Sequence, residues 1–365
     1  MVRLKELDIL RGLASLNVVI YHYTSRYKEI FKGQSSVNFD WDYGHYGLEL
    51  FFVISGFVIY MTLQKVSSLK EFSYKRFVRL YPAYWICILL TLILTSLWKS
   101  PRIQEFTISQ ILMNFTMIQG VFEIPNVDGA YWSLIPELFF YASMGLIYYM
   151  GWLKNIRIIA VIWLTIMILN RQGILPYGAY FLNLKYGMFL LAGILFYKLR
   201  FNKGNFIEHF LILSCLFTAI WVNNRPGSAY VYPCIFGIFY LFIYGKLKNF
   251  TYSPLLFLGY ISYPLYLLHQ EIGYSMINSL NFYIHNEFIV LMLTLSLIFL
   301  LAWIVKTYLE KPIVNYLKTK YYAKAVTLTQ PDLIEKQPIL TEKEPELTDK
   351  NIPVLVPNKV NSLTH

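Results

Sequence analysis

The chain of 365 residues is 56% hydrophobic and 18% aromatic with only 15% charged residues. A soluble domain of this length has no interior able to hide that much apolar surface, so the bilayer must act as its solvent. The net charge of +11 would suit nucleic acid, but the Lys and Arg fall in short clusters between apolar runs. With no basic stripe, nucleic acid is excluded as a partner.

In chain order, length and apolar content predict an all-α, polytopic membrane bundle of about ten transmembrane helices. They fall at 7–24, 47–64, 82–98, 131–150, 156–170, 179–197, 207–223, 229–245, 255–277 and 288–309. The stretch 106–119 is too short and polar to span and reads as interfacial or re-entrant, closed off by Gly120 and Pro125. The first run carries Arg11 within it and lacks a small-residue cleavage site, so it is expected to stay as a span. Cys87, Cys215 and Cys234 all lie in apolar runs without metal-like spacing. They read as small buried hydrophobes, and no metal is expected.

With the N-terminus inside, 19 Lys and Arg fall on the cytoplasmic side and 7 on the other, an asymmetry that places both termini in the cytoplasm. Lys185 lies within the sixth predicted span and either snorkels to the external face or lines a cavity. After a transmembrane domain over 1–321, the stretch 322–365 holds five prolines and no aromatic residue beyond Tyr322. It reads as a disordered cytoplasmic tail.

Ionisable groups at bilayer depth are costly and mark working sites. In the first span Arg11 and His22 stand eleven positions apart, about 16 Å along a helix, so one can sit near a headgroup layer while the other reaches the core. His22 is suited to act as a general base for acyl transfer. Glu137 must be protonated, paired or in a wet cavity, and one reading has it orient the His22 ring as a triad acid does. Ser133, four residues earlier, shares its helix face, with Trp132 adjacent and Pro136 loosening the ladder. Arg76 and Arg79 stand just before the third span, three apart, as a two-pronged phosphate site or as topological arginines. Glu49 is expected near the external end of its span. Ser55 beside Gly56 permits close helix approach. His269 either lines the site or packs helices.

The stretches LDILRGLASLNVVIYH, GLELFFVISGF, KRFVRLYP, WSLIPELFFY, ISYPLYLLH and the closing Glu310-Lys311-Pro312 resemble, in this order, the acyltransferase-3 family of integral membrane O-acyltransferases. The resemblance covers residues 7–312. It implies an enzyme that moves an acyl group, most often acetyl from acetyl-CoA as co-substrate with no bound cofactor, to a hydroxyl of a surface glycan or glycolipid such as lipopolysaccharide or another polysaccharide. The host would be the bacterial cytoplasmic (inner) membrane. The family's Arg-x10-His pattern falls on Arg11 and His22, its Arg-x-x-Arg on Arg76 and Arg79, and its Trp-Ser-Glu run on Trp132, Ser133 and Glu137. The last three positions, with Glu49, Ser55 and His269, would line the site, and the arginines would hold the donor. Departures are Glu49 where aspartate is common and Ile135-Pro136 before Glu137. No fused hydrolase-like domain is expected after the last span, so if transfer needs one another chain would supply it. The competing readings are a glycan or lipid transporter or flippase using the same buried groups as a proton relay, and a non-catalytic assembly factor. The oligomeric state is not legible.

Overall fold

The computed structural model describes residues 4–32, 36–98, 106–170, 185–201, 204–250 and 252–329, and among these it is helical with no strand. The helices used below are α1 (Lys5–Tyr21), α2 (Tyr27–Ile30), α3 (Gly47–Leu63), α4 (Leu69–Leu97), α5 (Ile108–Asn114), α6 (Leu134–Tyr149) and α7 (Ile156–Leu169). They are followed by α8 (Gly187–Phe201), α9 (Phe206–Asn223), α10 (Ser228–Ile243), α11 (Ser253–Tyr283), α12 (Glu287–Ile304) and α13 (Lys311–Thr329). The chain divides into two units, Met1–Lys318 and Thr319–His365. Within the second, helix continues to Thr329, past the expected start of the tail at 322; residues 330–365 lie outside the described residues.

Among the described residues, five helical stretches are long and apolar enough to cross a membrane: Asp42–Leu63, Leu69–Leu97, Trp152–Leu169, Phe206–Asn223 and Glu287–Ala323, with Ser228–Ile243 a shorter apolar helix. In the windows containing α7, α9 and α12 only 28%, 33% and 28% is buried in protein, against 67% in α3. The first three therefore turn most of their surface to lipid, while α3 belongs to the interior. The helix buried continuously from Ile261 through Ile277, apart from Tyr263, is α11. It is less apolar than those five because it is rich in Tyr, Ser, His, Gln and Glu, and protein rather than lipid surrounds them.

Glycines set the two closest crossings. A Cβ on Gly12 of α1 would meet the backbone of Gly259 on α11 at 2.5 Å, and one on Gly259 would meet the Asp8 carbonyl at 2.2 Å. A Cβ on Gly56 of α3 would meet the Leu190 carbonyl of α8 at 1.9 Å, and one on Gly193 would meet the Val53 carbonyl at 2.1 Å. Neighbouring backbone cannot swing aside as a side chain can, so each crossing admits only glycine. Gly56→Val is therefore expected to cost about 3 kcal/mol, the upper part of the range for overpacking. Gly237→Ala, whose Cβ would meet nothing within 4 Å, is the matched control. Thermal unfolding in detergent checks the pair, and equal midpoints would refute the close crossing.

Two expected elements change shape. The third span begins at Leu69 rather than 82, because Ser68 caps the helix through the Glu71 amide at 3.2 Å and Pro82 is carried inside it. Lys75, Arg76 and Arg79 thus stand on the transmembrane helix itself, not in a turn ahead of it. The stretch 106–119 forms α5 behind a Thr107–Gln110 capping box and then buries Asn114 completely. Tyr84 donates to the Asn114 carbonyl at 2.8 Å and Trp85 to that of Phe115 at 2.9 Å. Both donors sit near the middle of α4, so the segment is pinned against that helix through Asn114 and Phe115 while Ile108 and Leu112 stay exposed. Cys87 and Cys215 are buried, but Cys234 is exposed on α10, since that helix presents one side outward.

Candidate active site

Three arginines and one carboxylate meet around Tyr141. Glu137, one turn before Tyr141 on α6, accepts from the Tyr141 hydroxyl and from Ser55 Oγ of α3 at 2.9 Å. Tyr141 is in electrostatic range of Arg76 and Arg79, and Arg11 is in range of Arg79, Glu137 and Tyr141. Arg76 donates from Nη2 to Thr62 Oγ1 at 3.0 Å and lies between the rings of Phe72 and Tyr141, 5.8 and 5.7 Å from their centroids. Its Nε is buried with no hydrogen-bond partner among the described residues. Arg79 turns toward α11 and sits 5.0 Å over the Tyr263 ring. Arg11 is also bridged to Asp8 at 4.0 Å, so three guanidiniums face two carboxylates, and the cluster keeps a net positive charge suited to phosphate oxygens or another anion. A cleft of about 420 Å³ between α4 and α6, with mostly apolar walls such as Phe77, Leu80 and Leu138, has Arg76 and Tyr141 in its lining.

The second centre is His22. It opens a π-helical turn, His22–Arg26, a widening of the helix that recurs at functional sites. Thr24 adds to the local loosening by returning its hydroxyl to the Ile20 carbonyl at 2.7 Å. His22 Nδ1 lies 2.8 Å from the Val18 carbonyl and 3.3 Å from His269 Nε2 on α11. The rings of Tyr21, His269 and Tyr274 surround it at centroid distances of 5.1, 4.8 and 6.5 Å. Next along the chain, Tyr23 donates to the His269 carbonyl at 2.7 Å and tightens the α1–α11 seam.

Glu137 does not reach the His22 ring. The expected orienting pair is corrected: the ring is held by the Val18 carbonyl and His269, while Glu137 is engaged by Ser55 and Tyr141. The reason is directional. Ser133 and Glu137 were expected on one helix face, but Ser133 ends a 3₁₀ turn, Gly129–Ser133, and only Glu137 belongs to the α-helix. Ser133 Oγ shares a hydrogen bond with Tyr266 at 2.6 Å, and Glu137 points to a different neighbour.

What joins the two centres is α11. Tyr260, Tyr263, Tyr266 and His269 recur every third residue, so they form one slowly turning stripe. Their partners are, in turn, Thr307 at 3.3 Å, Arg79, Ser133 and His22. Tyr263 and Tyr266 are both in electrostatic range of Glu137. From Tyr263 beside Arg79 to His269 beside His22 is six residues, about 9 Å along the axis. Lys306, bound to Glu310 at 2.5 Å, is also in range of Arg79 and adds a cation at the lower end.

The remaining expected residues lie elsewhere. Glu49 is fully buried and paired with Arg225 at 3.4 Å, away from both centres. Trp132 packs against the Tyr186 ring at 5.8 Å. Lys185 is exposed and lies over the same tyrosine at 5.4 Å. Sequence reasoning missed Tyr141, Tyr263 and Tyr266. The signal available was Tyr141 four residues after Glu137, and the three-residue spacing that leads to His269.

Comparison with known proteins places these stretches among transferases. The chain is 25% identical over 320 residues to the peptidoglycan O-acetyltransferase OatA of Listeria monocytogenes, covering 73% of this chain and 49% of that protein. It is 23% identical over 279 residues to a protein of the Acidianus two-tailed virus named provisionally as an acetyltransferase, covering 71% of this chain and 80% of the relative. The chain thus spans about half the length of the Listeria protein. No solved structure matches it significantly. Residues 4–307, which include both centres and the stripe between them, match the family described as an acyltransferase domain, and the chain belongs to that acyltransferase family.

Proposed function

We propose that the chain is an integral membrane O-acyltransferase that moves an acyl group, acetyl above all, from acyl-CoA to a hydroxyl of a cell-surface glycan or glycolipid. The observation that carries this reading is the α11 stripe, which runs from the cationic cluster of Arg11, Arg76 and Arg79 to His22. A phosphate-bearing donor needs cations at its anchored end and a base at its reacting end, and the stripe separates these by about 9 Å. The Listeria relative is named for acetylating peptidoglycan, which favours a glycan hydroxyl as acceptor. The proposed setting is a bacterial cytoplasmic membrane with both termini in the cytoplasm, following the Lys and Arg asymmetry.

In this mechanism the donor phosphates rest on the three guanidiniums and the acyl thioester extends along the stripe. His22 Nε2 takes the proton of the acceptor hydroxyl as its oxygen attacks the thioester carbonyl. The C–S bond then breaks, the thiolate of CoA leaves, and the imidazolium returns the proton to it. Glu137 fixes Ser55 and Tyr141 and offsets part of the guanidinium charge. The test is incubation of purified protein with labelled acetyl-CoA and cell-surface glycan, with labelled ester on the glycan as the expected product. Glycan flux across vesicles without ester formation would replace this reading with the transporter. Each charge-assisted phosphate contact contributes about 1.5–3 kcal/mol. Arg79→Ala should therefore raise the Kd for acetyl-CoA about 10- to 100-fold in equilibrium binding. Unchanged donor affinity would return Arg79 to a topological role.

A further inference from the structure

Two backbone carbonyls decide where the protons of the buried histidine pair reside. His269 Nδ1 is 2.7 Å from the Tyr266 carbonyl. A carbonyl oxygen only accepts, so this nitrogen carries hydrogen, and neutral His269 has a bare Nε2. His22 Nδ1 is 2.8 Å from the Val18 carbonyl and for the same reason carries hydrogen. The 3.3 Å contact between His269 Nε2 and His22 Nδ1 then has one consistent sense. The His22 Nδ1–H is shared between the Val18 oxygen and the His269 nitrogen. Both hydrogen bonds of the ring fall on Nδ1, so among the described residues Nε2 is left as an unengaged lone pair.

We infer that His269 is a positioning residue: with the Val18 carbonyl it locks His22 in the Nδ1–H tautomer, so that Nε2 is the nitrogen presented to a hydroxyl. The inference rests on the reading of His22 as the base and names what holds that base. It replaces the triad acid with a neutral acceptor. A second imidazole suits this place because its bare Nε2 accepts the Nδ1–H both before and after His22 gains a proton at Nε2. In the charged state that bond becomes charge-assisted. His269 itself stays neutral there, since a proton on its Nε2 would set two N–H groups against each other. The fixing runs one step further: Tyr266 supplies the carbonyl that sets His269, and its hydroxyl is tied to Ser133 at 2.6 Å.

The direct test reads the tautomer in the unaltered protein. In ¹⁵N spectra of histidine-labelled protein in bilayers, His22 is assigned from the signal lost in His22→Gln. A hydrogen-bearing Nδ1 and a bare Nε2 are expected, and the opposite pattern would overturn the inference. His269→Phe keeps the volume and removes the acceptor. Its kcat is expected to fall about 100-fold with KM for acetyl-CoA unchanged, since the Nδ1–H then keeps only the Val18 carbonyl and the ring loses the second acceptor that fixes its direction and steadies its charged form. His269→Gln, whose side-chain oxygen can take the place of Nε2, should recover most of that loss. A folded His269→Phe protein with wild-type kcat would sink the assignment. If His22→Ala still transfers acyl groups, the reading of His22 as base has failed instead, and the spectra alone decide the tautomer lock.

Discussion

Replacing His22 by alanine should lower acyl transfer about 1,000-fold, within the range general bases supply, while the protein still folds and binds donor. Folding survives because the bond that closes α1 at this point belongs to the backbone: the His22 amide donates to the Val18 and Val19 carbonyls. Donor binding survives because the arginines gather around Tyr141, at another level of the bundle. His22→Asn sharpens the test. Its side-chain amide can still donate to Val18 and His269 where Nδ1–H did, but it offers no basic nitrogen at the position of Nε2. Equal loss in both variants, with acetyl-CoA affinity preserved, identifies proton transfer as the missing step. Wild-type labelled-ester yield from either variant would remove His22 from the chemistry.

The sequence made one half of this site legible and concealed the other. Arg11, Arg76, Arg79 and Glu137 were picked out singly because charge inside an apolar run is visible at any position, and the fold brings all four to Tyr141. Partner choice was not visible. His22 and His269 lie 247 residues apart, and only the parallel seam of α1 and α11, closed by Gly12 against Gly259, sets them at one level. Without that register Glu137 looked like the natural partner. The length of α4 was hidden for a local reason. Pro82 reads as a boundary, yet the helix runs through it because Ser68 caps fourteen residues earlier and Tyr84 and Trp85 pin the middle to α5 and the residue after it.

Hydropathy misleads in the same direction. Mean hydropathy marks helices facing lipid, such as α9 and α12, and the apolar interior helix α3, yet it passes over α11, which carries the stripe. A helix surrounded by other helices can afford tyrosine, serine and histidine at bilayer depth because its neighbours satisfy them. Tyr263 donates to the Leu80 carbonyl at 3.1 Å and Tyr266 meets Ser133. The polar content that weakens the signal is thus the content that serves the site.

Glu137→Ala is expected to be the most destabilising change in the cationic cluster. Removing the carboxylate leaves Ser55 and Tyr141 without their acceptor and takes one of two negative charges from the cluster of Arg11, Arg76 and Arg79, Arg11 keeping Asp8 at 4.0 Å. Leaving a buried polar group unsatisfied costs about 1–3 kcal/mol, and here two hydroxyls lose their acceptor together. Glu137→Gln separates the two contributions, since its amide oxygen still accepts one of those hydroxyls but the charge is gone. Stability should therefore fall in the order wild type, Gln, Ala, as read from thermal unfolding. Affinity for acetyl-CoA should move the opposite way in the Gln variant, because the donor phosphates then meet three guanidiniums opposed only by Asp8 at Arg11. A carboxylate that merely filled space would give a Gln variant with wild-type melting and wild-type donor affinity, and that pair of results would dissolve the proposed cluster.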